Sequence, residues 1–425
     1  MPLRATDVFT PGSFPVETYV ERTGVGLEQM VRDGLETPGQ IVSLVGPSKS
    51  GKTVLVEKVV GRDQLITITG AGIQHADEIW ARVLDWMDAP STVTKSSLTS
   101  GAATLSGSAS GSAGIPMLAK ATIEGTAGVE IGHERGASTT TVRRGLAQVA
   151  KEIAGSDFVV LLDDFHYMPR EVQAEAAKSL KEATRLGIKL CTAAVRHRGD
   201  DVVRANPELR GRVRAVDLEY WSGADLGKIA ASGFHALNVR VNATTAGKLV
   251  SESAGSPQLM QQLCLDACFR LEVREALDKR RDLEVSADQM DEIFEQTSAT
   301  TDFRSLVDVL DAGARTRGTE RKAYSFSDGT SGDVYRCVLK AVAADPPRLS
   351  FAYEELTRRT QEVCLGESPV GSSIVGTCQQ MNNLALAKFP NERAIDWDEQ
   401  KQVLDLPDPY LVFHLRWSRR LQRVD

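Results

Sequence analysis

Residues 46–53 read Gly46-Pro47-Ser48-Lys49-Ser50-Gly51-Lys52-Thr53, and the reading of this octapeptide decides the fold. It has the G-x-x-x-x-G-K-[ST] spacing of a phosphate-binding loop. Upstream, Ile41-Val42-Ser43-Leu44-Val45 is a short apolar run suited to a buried strand, and downstream Val54-Leu55-Val56-Glu57-Lys58-Val59-Val60 is compatible with a helix. A loop in that setting offers an anion backbone N–H groups and the positive end of a helix dipole. Gly46 and Gly51 allow the backbone to curl around the anion. The motif predicts a bound nucleoside triphosphate lined by Gly46, Pro47, Ser48, Lys49, Ser50, Gly51, Lys52, Thr53 and Val54. Lys52 is expected to reach the β- and γ-phosphates, and Thr53 to ligate Mg²⁺.

A site of this kind needs an acidic residue at the tip of a second buried strand. Phe158-Val159-Val160-Leu161-Leu162-Asp163-Asp164 supplies it, with two carboxylates where open α/β sheets bind ligands. Asp163 is expected to hold the Mg²⁺, and Asp164 to polarise the attacking water. His166 is the first alternative base. Further strands are expected at Leu65–Thr69 and Ile188–Val195. Helices are expected at Leu27–Leu35, Ala76–Met87, Val142–Ala154 and Arg170–Leu186. Strands alternating with helices predict a parallel sheet.

Composition narrows the class. A chain of 425 residues suggests two or three domains. With 50 Lys and Arg against 57 Asp and Glu, the net charge of −7 does not suit a chain built to coat nucleic acid or an anionic membrane. No apolar run approaches a membrane span, and Met1–Asp7 lacks the apolar core of a signal peptide. The six cysteines show no C-x-x-C and no zinc spacing with histidine, so they read as buried apolar residues in a reducing cytoplasm.

Around the sheet, residues 1–40 read as an N-terminal lead-in, with Pro11-Gly12-Ser13-Phe14-Pro15 as a rigid turn. Residues 41–220 form the core. Within it, 96–141 is a Gly/Ala/Ser/Thr-rich insertion. Its composition fits a surface loop, while Ala119–Glu124 and Gly128–Ile131 alternate as a hairpin would, with an edge open to a second subunit. Residues 221–300 read as a helical lid, with helices at Asp225–Leu237, Thr244–Ser253 and Leu259–Leu271, followed by a linker at 301–330. Residues 331–425 carry helices at Val334–Ala344, Phe351–Glu362 and Gly371–Leu386 and strands at Ala394–Trp397 and Gln402–Leu406. That pattern suggests a winged helix.

Together the phosphate loop, the Asp163-Asp164 strand, Arg196 after a sheet strand and the Gly255-Ser256-Pro257 turn resemble the AAA+/STAND ATPases, over about residues 10–275. These include NACHT and NB-ARC switches and origin-recognition-like ATPases. The resemblance implies an α/β fold: a P-loop NTPase parallel sheet with helices on both faces, then the helical lid and winged-helix domain. It implies ATP and Mg²⁺ as cofactors, with hydrolysis slowed by an aspartate where fast ATPases use glutamate. Tyr19-Val20-x-Arg22 is similar to the box that packs on adenine, and Pro257 to the proline that touches the base. Arg196 or Thr192 would sense the γ-phosphate, and Arg210 or Arg212 would reach a neighbour's nucleotide in an ATP-dependent homo-oligomer. Gln258 departs from the family, many members of which place a lid arginine there.

The C-terminal residues 331–425 hold 12 Lys and Arg against 13 Asp and Glu, and no Lys or Arg falls between Gly371 and Ala387. DNA reading depends on phosphate neutralisation, so a DNA partner is weakly supported, although Arg416, Arg419, Arg420 and Arg423 are candidates for backbone contacts. The first expectation is therefore an oligomerising ATP switch with a protein effector, in a defence or signalling module. The alternative is a DNA-associated ATPase of the initiator or transposition-helper type. A small-molecule hydrolase or kinase is a third reading, with no substrate chemistry outside the nucleotide site to support it.

Overall fold

The computed structural model describes residues 2–22, 26–89, 92–96, 138–142, 145–195, 206–315, 318, 320–390 and 394–422. Helices α1 (Ala5–Val8) and α2 (Leu27–Glu36) precede β1 (Ile41–Val45) and α3 (Lys52–Val60). Then come β2 (Leu65–Thr69), α4 (Asp77–Trp86), β3 (Thr92–Ser96), β4 (Ser138–Val142), α5 (Leu146–Ile153), β5 (Val159–Asp163), α6 (Arg170–Arg185), β6 (Lys189–Ala194) and β7 (Val213–Asp217). Five strands form a parallel sheet in the order β2-β5-β6-β1-β7.

Strand alternation divides the apolar side chains between two faces. Ile66, Ile68, Val160, Leu162 and Leu190 pack under α4, α5 and α6. Val42, Leu44, Val159, Leu161, Cys191 and Ala193 pack under α2 and α3. Helices therefore cover both faces of an α/β sheet, as expected. Two expectations change. Ile188–Val195 is not the last strand: Val213–Asp217 adds a fifth, parallel to β1. Its five residues include Arg214 and Asp217, with Arg214 directed to Asp33 of α2 at 3.6 Å, so no apolar run marks it. Val142 does not start a helix; it pairs with Thr92 in the antiparallel β3–β4 ribbon. The β-branched run Thr139-Thr140-Thr141-Val142 suits a strand, and the helix waits for Gly145 at φ +53°. The hairpin expected at Ala119–Ile131 lies outside the described residues.

The segment expected as a lid, residues 221–300, contains α7 (Gly223–Ala236), β8 (Val239–Val241), α8 (Ala243–Glu252), α9 (Pro257–Arg270), β9 (Arg281–Leu283) and α10 (Ala287–Thr300). Ser222, Asn242, Ser256 and Ser286 cap these helices through side-chain oxygens, starting the first three one to two residues before the expected positions. The N-terminal lead-in belongs to this layer: Ala5, Val8, Phe9 and Val20 share its core. Ala276 N donates to Leu3 O at 2.8 Å, and a Cβ on Gly233 would come within 2.2 Å of the Phe9 ring.

The C-terminal part comprises α11 (Arg304–Ala312), β10 (Tyr324–Ser325), β11 (Ser331–Gly332), α12 (Val334–Ala343), β12 (Ser350–Ala352), α13 (Tyr353–Val363), α14 (Gly371–Lys388), β13 (Asp396–Asp398), β14 (Val403–Asp405) and α15 (Pro409–Trp417). Three strands form an antiparallel sheet, β12-β14-β13. Phe351, expected to open a helix, lies in β12 opposite Leu404. Within 301–330, expected as a linker, α11 places Leu306, Val307 and Leu310 in the core of this domain. Helix α15 serves two cores: Leu411, Val412 and Leu415 enter this one, and Phe413 enters that of the lid.

Candidate nucleotide site

The phosphate loop leaves the C-terminal tip of β1, between β6 and β7, and is pinned there by backbone bonds. Gly46 N donates to Ala194 O at 3.2 Å, and Leu218 N donates to Val45 O at 2.6 Å. A Cβ on Gly46 would lie 2.5 Å from Leu218 O, so only glycine permits this close approach. Gly51 sits at φ +93° immediately before α3, where a side chain would strain the turn. Lys52 is buried, and its ammonium donates to Pro47 O at 2.7 Å and Gly46 O at 3.2 Å. Burial pushes its pKa down, opposed by Asp163 and Asp164.

Thr53 and Asp163 meet across the sheet: the Thr53 hydroxyl donates to Asp163 Oδ2 at 2.7 Å. Two oxygen donors side by side are the chemistry a hard divalent cation takes. The loop also fits an anion, because Ser50 Oγ is buried with no hydrogen-bond partner among the described residues. Asp164 follows at φ +55°, against Gly70, where a Cβ would come 2.5 Å from Asp164 O. Burial, with the Asp163 charge beside it, pushes the Asp164 carboxyl up to about 6, while Lys52 pulls the other way. A carboxylate poised there can take a proton from water near neutral pH.

These residues open onto a cavity of about 410 Å³ between the loop, the N-terminal lead-in and the lid, within the size range of small-molecule sites. Ser48 through Leu55, Asp163 and Asp164 line it together with Tyr19, Val20, Arg22 and Pro257. Tyr19 stacks on Phe14 with ring centroids 5.8 Å apart, and its hydroxyl donates to Glu28 at 2.7 Å. Burial and that bond raise its pKa. Arg22 donates to Glu219 O at 3.0 Å and lies over the Trp221 ring. Pro257 is the first residue of α9.

Sequence reading missed three groups here. Trp221 Nε1 donates to Ser50 O at 3.0 Å, and Ser256 Oγ donates to Lys49 O at 3.4 Å. Asp408, from the far end of the chain, accepts from the Lys49 ammonium at 2.6 Å. The small polar residue before Pro257 was a visible capping signal for Ser256; no local pattern marks the other two.

Arg210 and Arg212 lie elsewhere. Arg212 O accepts from Ile41 N at 2.8 Å, at the N-terminal edge of the sheet. A five-residue strand spans roughly 16 Å, so both arginines stand at the opposite end from their own phosphate loop, exposed to solvent. Thr192 is buried within β6, level with Ser43 and Leu162, below the strand tips. Arg196 and the His166 side chain lie outside the described residues.

No family model matches the chain, and no curated protein matches it. Solved structures do. The chain is similar to the Aeropyrum pernix ORC2 protein in its ADPNP-ADP complexes, at 12% identity over 99% of both chains with a TM-score of 0.48. It is similar to a Walker-type ATPase of Pyrococcus abyssi, at 13% identity over 94% of this chain and 97% of that one, TM-score 0.46. Cdc6p from Pyrobaculum aerophilum matches at 12% identity over 99% of both chains, TM-score 0.42.

Proposed function

We propose that the chain is an ATP-binding molecular switch of the AAA+/STAND kind that hydrolyses ATP slowly and self-associates when ATP is bound. The observation that carries this reading is the Thr53–Asp163 pair beside the buried Lys52 ammonium, in the lining of a cavity of nucleotide size. Lys52 holds the β- and γ-phosphates. Thr53 and Asp163 hold Mg²⁺, which when bound neutralises charge on the phosphates. Asp164 takes the proton of the attacking water. Tyr19, Val20, Arg22 and Pro257 enclose the base. Residues 41–220 act as the ATPase core, 221–300 as the lid and 331–425 as a winged helix that packs against them.

Arg210 or Arg212 acts on a neighbour's nucleotide. Their distance from their own loop supports action between subunits, since a cation in a dry phosphate site stabilises charge far more than one in water. A defence or signalling module with a protein effector is the setting we favour. Against the DNA-associated alternative, Arg416, Arg419 and Arg420 are each paired with carboxylates: Glu252 and Asp345, Glu295, and Asp308.

The test measures ATP binding with and without Mg²⁺, turnover against protein concentration, and mass in solution with and without ATP. Binding with a mass increase supports the switch. A chain that stays monomeric with ATP and turns over at a concentration-independent specific rate removes it. DNA binding that falls steeply with salt would instead favour the alternative.

A further inference from the structure

Three contacts from outside the sheet converge on two adjacent residues of the phosphate loop, Lys49 and Ser50. Two come from the lid side and grip backbone oxygens, Trp221 on Ser50 and Ser256 on Lys49. The third comes from the C-terminal domain and grips a side chain. The Lys49 ammonium donates to Asp408 Oδ2 at 2.6 Å and lies 4.3 Å from the centre of the Tyr410 ring. Lys49 itself holds φ +60°, a left-handed conformation that a β-carbon disfavours. It also lines the nucleotide cavity, whereas Asp408 and Tyr410 do not.

The other end of α15 is tied to the lid. Arg416 makes a two-pronged bond to Glu252, at 2.9 and 2.8 Å, and Trp417 Nε1 donates to the same carboxylate at 2.7 Å. Phe294 of α10 packs on Phe413 and Trp417. Helix α15 is thus a beam whose C-terminal end is anchored by buried contacts to the lid. Its N-terminal end meets the phosphate loop at Lys49, through the Tyr410 ring and an ion pair with both side chains about a quarter exposed.

We propose that the Lys49–Asp408 pair is a latch coupling occupancy of the phosphate loop to the seating of the C-terminal domain. The proposal rests on the nucleotide reading above. A triphosphate in the loop and the Asp408 carboxylate compete for one ammonium, and the two anions repel each other. Binding of the triphosphate therefore weakens the latch, and by linkage the closed latch weakens triphosphate binding by the same factor. An ion pair that is partly exposed to solvent sets the scale of that factor at about two- to fivefold.

The test compares the full-length wild type with Asp408→Asn and Asp408→Ser. Both replacements can still cap α15, as Asp408 Oδ1 does for Tyr410 N, but neither carries charge. Affinity for a fluorescent non-hydrolysable ATP analogue is read by titration, and amide exchange in the first turn of α15 is read with and without the analogue. Both variants are expected to bind about two- to fivefold more tightly than wild type. Exchange in that turn is expected to rise with the analogue in wild type, and to be high and insensitive to it in the variants. Wild-type binding with unchanged or weaker affinity in both variants overturns the latch alone. A wild type that does not bind the analogue overturns the nucleotide reading and the latch with it.

Discussion

The Thr53 hydroxyl and the Asp163 carboxylate, 110 residues apart in sequence, are joined by a hydrogen bond of 2.7 Å. Neither strand nor loop brings them together alone. β1 delivers Thr53 through the phosphate loop to the start of α3, and β5 ends on Asp163 with only β6 between the two strands. In a parallel sheet all C-terminal tips lie on one edge, so residues just beyond two tips meet there.

Lys52→Ala should abolish triphosphate binding. The ammonium is buried beside the loop carbonyls, and among the described residues no other lysine or arginine bonds Gly46 O or Pro47 O. Isothermal titration with an ATP analogue checks it; wild-type affinity in this variant would place the site elsewhere.

Asp164→Asn should retain binding and lose turnover, since an amide does not accept the proton of water. In the wild type, turnover should fall about tenfold per pH unit below about 6, where the carboxyl becomes protonated. A flat profile from pH 5 to 8 would exclude Asp164 as the base.

The same carboxyl makes a stability prediction. Its pKa is raised in the folded chain from 3.8 to about 6, so between those values the folded state keeps a proton that the unfolded state has lost. The contribution is destabilising and grows as pH rises through that window. Asp164→Asn should therefore melt above wild type at pH 8, with the gap closing toward pH 4. Thermal melts in chelator at both pH values read the difference.

Trp221→Phe removes the indole donor to Ser50 O while keeping an aromatic ring under Arg22. Loss of one hydrogen bond is worth roughly 1 kcal/mol, so analogue affinity should fall about fivefold. Titration of the analogue into both proteins reads the difference.

Glu252→Ala leaves the buried Arg416 guanidinium and the Trp417 N–H without their shared partner, in a pair whose side chains are each 9% exposed. Asp345 and the Ala343 carbonyl still hold the guanidinium, so the cost falls below the roughly 3–5 kcal/mol of a buried charge left with no partner. A lower melting temperature is expected, and an unchanged one would show that the Glu252 bonds are not what holds α15 to the lid.

Local sequence determined what local chemistry can encode. The strand–loop–helix around Gly46–Thr53 and the apolar run ending at Asp163-Asp164 were legible because five apolar residues, a glycine spacing and a terminal carboxylate each carry their meaning within a few positions. Three lid helices were legible from their apolar spacing, but their starts were placed one to two residues late and the helix at Ala287–Thr300 was not expected, although Ser222, Asn242, Ser256 and Ser286 bond backbone N–H groups three residues on. Strand β7 was hidden because Val213-Arg214-Ala215-Val216-Asp217 has only Val216 buried and two charged side chains, which leaves no apolar run to read. Tertiary structure alone decided which distant groups reach the loop. Packing of α15 into two cores brings Asp408 to Lys49 across 359 positions, and lid packing brings Trp221 to Ser50. It also set Arg210 and Arg212 at the opposite edge of the sheet from their own loop. A carboxylate or an indole becomes a partner only through position, and position in this chain is fixed by apolar burial spread over several hundred residues, which no single motif records.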